Sequence, residues 1–148
     1  MITNNAPLSS VAPMGGLSHV NKNRMTEYDI IAEDVKKYRK EMNPKKAYAA
    51  ILKMTQQPNY RVLRHNNSLL FIDNHKDGTA DSLIFSSDNK HDFVDSLKHF
   101  NIGLKAAGIH QLEITSDNKE IESALKKAKL EYSTLPTQSG IHVIVGIK

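Results

Sequence analysis

The sequence predicts one α/β (α+β) domain with a mixed sheet and helices on both faces, preceded by a flexible N-terminal arm. Three observations predict it. Apolar residues recur alternately at helical and at strand spacing. The resulting order is α-α-β-β-β-α-β-α-β-β, a three-strand meander followed by βαβ crossovers. Residues 1–25 show neither period and hold Pro7, Pro13, Gly15 and Gly16 among Ser and Asn. The expected division is therefore an arm over 1–25 and a single domain over 26–148.

The arm carries scattered apolar residues, Ile2, Leu8, Val11, Met14, Leu17 and Val20, suited to docking on a neighbouring subunit. Thr26 followed by Glu27 and Asp29 predicts a helix start: a capping hydroxyl, then acids in the first turn. Tyr28, Ile31, Val35, Tyr38 and Met42 then stripe a helix of about 15 residues. Asn43-Pro44 ends it and opens a second, striped by Ala47, Tyr48, Ile51, Leu52 and Thr55. Strands follow at 60–65, 68–73 and 81–86, the first two joined by Asn66-Asn67, since Asn tolerates positive φ.

Ser87 or Asp88 is expected to cap a helix over about 90–107, with Phe93, Val94, Leu97, Phe100, Leu104 and Ala107 inward and Gly108 as its stop. Residues 109–115 form a strand. Ser116 or Asp117 is expected to cap a helix to about Lys129, with Ile121, Ala124, Leu125 and Ala128 inward. Residues 130–135 and the β-branched 141–147 (IHVIVGI) are the last strands.

Composition removes several chemistries. With zero Cys there is no thiol nucleophile, no thiolate zinc site and no iron–sulfur cluster. No apolar run approaches the roughly 20 residues that span a bilayer, and residues 1–16 lack the pattern of a signal peptide, so a cytoplasmic protein, or one packed in a virus particle assembled there, is expected without membrane partners. The net charge of +4 permits only weak attraction to acidic surfaces. Its densest part is Lys36, Lys37, Arg39, Lys40, Lys45 and Lys46, a candidate patch for nucleic acid or an acidic partner.

No metal site is expected. His91, Asp95 and His99 share a helix face, but a third ligand for any pair is not evident. Residues 73–78 (DNHKDG) resemble half of a calcium loop, yet His75 and Ile84 occupy ligand positions, so a hairpin turn is the reading.

The element order over residues 26–148 resembles the GCN5-related N-acetyltransferase (GNAT) fold, and residues 106–132 (AAGIHQLEITSDNKEIESALKKAKLEY) are similar to that family's strand, Asn and helix, with Asn118 at the Asn. The resemblance implies acetyl-CoA bound by backbone N–H groups where the central helix begins, on a Gly-rich loop of pattern Q/R-x-x-G-x-G/A. Here residues 86–94 read SSDNKHDFV. They contain no Gly and place Asp88 and Asp92 where a pyrophosphate would sit, so Ser87, Asp88, Asn89, Lys90, His91 and Asp92 are expected to be a vestigial loop. The resemblance also implies a Tyr general acid in the last helix. Aligning Lys129-Leu130 with the family's Gly-Phe puts Leu125 there, and Tyr132 lies beyond it.

These departures lead to the expectation of a non-catalytic structural or interaction protein, a phage virion or internal particle component, with no cofactor and with other subunits as partners through the arm. The alternatives are an acyl-CoA-dependent N-acetyltransferase using acetyl-CoA and a weak nucleic-acid-binding accessory.

Overall fold

The computed structural model describes residues 24–135, 137 and 140–148. The arm residues Ile2, Leu8, Val11, Met14, Leu17 and Val20 lie outside the described residues.

Ten elements follow in the expected order: α1 (Glu27–Tyr38), α2 (Pro44–Thr55), β1 (Tyr60–His65), β2 (Ser68–Asn74), β3 (Thr79–Ser86), α3 (Lys90–Ala106), β4 (Gln111–Ser116), α4 (Ile121–Lys127), β5 (Glu131–Leu135) and β6 (Ile141–Gly146). The strands form one sheet in the order β1-β2-β3-β4-β6-β5. Among the described residues only β3 and β4 pair in parallel, as the α3 crossover between them requires. The apolar β6 takes the inner place, burying Val143 and Val145, and the polar β5 is left at the edge.

The sheet separates two cores. Leu70, Ile72, Ala80, Ile84, Leu112, Ile114, Val143 and Val145 face α3 and α4, meeting Phe93, Leu97, Phe100 and Leu125. Leu69, Phe71 and Phe85 face α1 and α2, meeting Ile30, Ile31, Val35 and Ile51. β2 contributes to both, which is why its SLLFI run is apolar without alternation.

Several caps and ends differ from the sequence expectation. Helix α1 stops at Tyr38, so Met42 falls in the following turn. Strand β3 begins at Thr79, two residues early. Asn89, not Ser87 or Asp88, caps α3, its side chain accepting from the Asp92 N–H at 2.8 Å. Neither Ser116 nor Asp117 caps α4, which begins after Glu120 without a side-chain cap. The Ser116 hydroxyl accepts instead from the Asn118 N–H, and Asp117 pairs with Arg39. Met25, expected within the arm, packs on the α1–α2 core; its N–H donates to Asn67 Oδ1 and its carbonyl accepts from Arg64. No helix among the described residues is long and apolar enough to cross a membrane.

Helix α3 ends with Gly108 at φ +80°, the Gly108 and Ile109 N–H groups reaching back to Lys105 and Leu104. Helix α4 ends in the same geometry, with Lys129 and Leu130 reaching Lys126 and Leu125, but Lys129 takes the left-handed position at φ +60°. A side chain there costs about 1–2 kcal/mol, partly offset by glycine's greater unfolded-chain entropy. Lys129→Gly is therefore expected to raise stability by roughly 0.5–1 kcal/mol, read from the urea midpoint at unchanged m-value.

Candidate active site

Strands β3 and β4 are paired only as far as Leu83↔Thr115. Beyond that pair they part as β3 runs to Ser86 and β4 to Ser116. A gap at the carboxyl ends of two parallel strands, with a helix N-terminus above it, is a favourable place for an anion. A cavity of about 190 Å³ lies there, with Lys37, Tyr38, Ser86, Asp88, Lys90 and Asn118 in its wall.

The start of α3 presents donors to it. Among the described residues, the N–H groups of Asn89, Lys90 and His91 meet no protein acceptor, whereas Asp92 N–H is taken by the Asn89 cap. Asn118 adds an amide from the opposite wall. It is 6% exposed, its Oδ1 accepts from the Glu120 N–H at 2.8 Å, and its Nδ2 meets no protein acceptor. Lys37 and Lys90 also border the cavity, as do the exposed Glu33 and Glu120.

The turn from β3 into α3 is shaped by side chains rather than by glycine. Asp88 does not face the gap with a free charge. Its carboxylate accepts from the Asn67 N–H at 3.0 and 3.1 Å and from the Ser68 hydroxyl at 2.6 Å, so it is spent on the β1–β2 hairpin. Ser86 Oγ lies 2.6 Å from Ser68 Oγ and accepts from the Asp88 N–H. Behind it, buried Asp34 of α1 accepts from the Ser86 N–H at 3.0 Å. No residue of 86–90 has positive φ, so the turn has no conformational need for Gly. Asp88 thus stays in the wall of the gap with its carboxylate held by the β1–β2 hairpin. Asp92, which holds the Asn89 amide at 3.2 Å, remains near the helix start.

A second hollow, about 290 Å³, opens on the α1–α2 side of the sheet where the helices do not cover it. Its floor is a row in direct lateral register: Tyr60↔Asp73, Asp73↔Asp81 and Asp81↔Glu113. Carboxylates placed opposite one another across strands repel, so three in a row are not a stabilising device. The Glu113 carboxyl is held above the usual range chiefly by a hydrogen bond shared with Asp81, and also by burial; His142 and His75 pull it down. His142 Nε2 stands 3.7 Å from Glu113 and His75 Nε2 3.3 Å from Asp81. Burial, then the charges of Asp73 and Asp81, also raise the Tyr60 phenol.

The sequence-predicted residues are distributed unequally. Of the expected loop, Ser87, Asp88, Asn89 and Lys90 line the gap, while His91 and Asp92 sit on the first turn of α3. The residues of the basic patch have different surroundings. Lys37 borders the gap and Arg39 pairs with Asp117. Lys36, Lys40, Lys45 and Lys46 are exposed. His91 gathers with Asp92 and Asp95, and His99, two turns further along α3, stacks on the His65 ring at 4.0 Å between centroids. Leu125 is buried in the core, and Tyr132 is half-buried against it. The sequence reading missed Asp34, Tyr38, the acidic row and His142. Tyr38 read as part of an apolar stripe, and the row exists only through strand register.

No family model matches the chain, and no curated relative does. Solved structures do match its fold. It superposes on Gcn5 of Tetrahymena with a TM-score of 0.56 at 13% identity, covering 82% of this chain and 84% of that one. The microcin C7 self-immunity acetyltransferase MccE, in complex with acetyl-CoA and AMP, gives 0.55 at 14% identity over 80% and 82%. Aminoglycoside 6'-acetyltransferase type Ii gives 0.56 at 9% identity over 84% and 96%. The fold is thus GNAT-like. The expectation of a non-catalytic phage virion component is corrected: the chain's structural neighbours are acetyltransferases.

Proposed function

We propose that this chain transfers an acyl group from a coenzyme A thioester to a primary amine. The observation that carries the reading is the parting of β3 from β4 beneath three unpaired N–H groups of α3, in a fold shared with acetyltransferases. The residues present fit the donor's diphosphate: Asn89, Lys90 and His91 offer backbone N–H groups, Lys37 and Lys90 offer charge, and Asn118 offers an amide. The thioester would supply an activated carbonyl.

The acceptor side is the acidic row. A primary amine resembles a Lys side chain, with a pKa of about 10.4, and arrives as an ammonium ion. Asp81 and Glu113 attract that cation, and the pair accepts its proton, with His142 beside Glu113 to pass the proton on. The neutral nitrogen then forms a bond to the carbonyl carbon. The carbon–sulfur bond breaks, the sulfur leaves with the electron pair, and the second proton that the nitrogen sheds on becoming an amide passes to that sulfur to give the thiol.

Lys90→Pro tests the donor side. Lys90 is the first helical residue, where Pro is tolerated, and Asn89 at φ −68°, ψ 171° already has the backbone that a following Pro favours. The substitution removes one N–H and one charge while the helix stays. Acetyl-CoA binding by calorimetry is expected to weaken about tenfold or more, with less loss in Lys90→Ala, which keeps the N–H. No heat from the unmodified protein at about millimolar acetyl-CoA would remove the acyltransferase reading.

A further inference from the structure

We infer that the acceptor is an amphipathic primary monoamine, a cationic head on an apolar tail. This rests on the acyltransferase reading, whose amine-binding face it extends. A third hollow of about 410 Å³ lies between α1, α2 and the sheet, walled by Val35, Met42, Ala50, Ile51, Met54 and Phe85. It shares Met54 and Leu83 with the acidic hollow. Along one face of β3 the order is Asp81, Leu83, Phe85, with successive side chains about 7 Å apart. The carboxylate row therefore leads directly onto the apolar chamber.

Charge complementarity fixes the orientation of an occupant. Asp73, Asp81 and Glu113 attract a cation at one end, while Lys46 borders the chamber and repels one at the other. An ammonium group in the chamber would lose its hydration without gaining a carboxylate. A methyl-terminated chain loses nothing comparable and buries apolar surface. The chamber thus selects against diamines and polyamines, which the acidic row alone would favour.

The test compares n-hexylamine with 1,6-diaminohexane, the same six-carbon chain with a second ammonium group at its far end. Calorimetry on the full chain is expected to show hexylamine binding at least about tenfold more tightly. Ala50→Phe, at an exposed helix position, should reduce hexylamine affinity about tenfold and leave methylamine unchanged. Asp81→Asn should weaken both monoamines. Tighter binding of 1,6-diaminohexane or of 6-aminohexanoate than of hexylamine overturns the inference. So does indifference of hexylamine to Ala50→Phe, or a self-associated state, seen by native mass, that Ala50→Phe dissolves.

A parallel acetyl-CoA titration separates the two readings. Acetyl-CoA bound with hexylamine refused removes the chamber's role and keeps acyl transfer. Hexylamine bound with acetyl-CoA refused does the reverse.

Discussion

Glu113→Gln is expected to lower kcat for acetylation of hexylamine by about a hundredfold or more, the usual scale of a lost general base. Gln keeps the side-chain length and can still hydrogen-bond Asp81, so the row should remain in place; only proton acceptance is lost. The pH profile makes the test specific. The hydrogen bond that the protonated Glu113 carboxyl donates to the Asp81 carboxylate raises the Glu113 pKa above the ordinary carboxylate value. Activity of the unmodified chain should therefore fall, as pH drops, earlier than a free carboxylate would dictate. Asp81→Asn removes the partner charge that keeps that proton on. The acid limb of kcat/KM should then move to lower pH, whereas Glu113→Gln should flatten it. Initial rates between about pH 5 and 9 decide the matter, and Glu113→Gln turning over like the unmodified chain would eliminate the proposed base.

Asp34→Asn is expected to stabilise the protein by up to about 3 kcal/mol near neutral pH. Burial raises the Asp34 carboxyl from 3.8 to about 6, against the opposing effects of the Ser86 N–H, Arg39 and Lys37. Because the folded-state value lies above the unfolded one, the stability it contributes is fully present below 3.8 and is lost as pH rises through about 6. The gap of about two pH units corresponds to about 3 kcal/mol. Asn carries no charge to bury, and its Oδ1 can still accept from the Ser86 N–H. Urea unfolding at about pH 4 and pH 8 should show a difference between the two proteins only at the higher value. Equal gains at both would mean that the charge is not the cause. The unmodified chain retains this costly carboxylate directly behind the turn that opens α3, where it fixes the Ser86 N–H and through Ser86 the course of residues 86–88.

Asp88 shows where the sequence stops being legible. Its position before the helix and its charge were both readable. Its direction was not, because the three bonds that turn it away come from Asn67 and Ser68, about twenty positions earlier. The same holds for the helix cap: once Asp88 is drawn into the hairpin, Asn89 takes the capping role that local preference alone allows to either. Asp73, Asp81 and Glu113 likewise look like unrelated surface acids along the chain. Strand pairing alone aligns them.

What the sequence determined by itself is local. Apolar spacing fixed the element types, Asn43-Pro44, Asn66 and Gly108 fixed ends and turns, and the meander-crossover order fixed the GNAT-like topology. These follow from backbone sterics and from one face per element seeking burial. The tertiary structure decided which charges are spent internally, which N–H groups stay open and which hollows adjoin. Those outcomes depend on side-chain direction and on contacts between distant residues, and neither is encoded in any short stretch of chain.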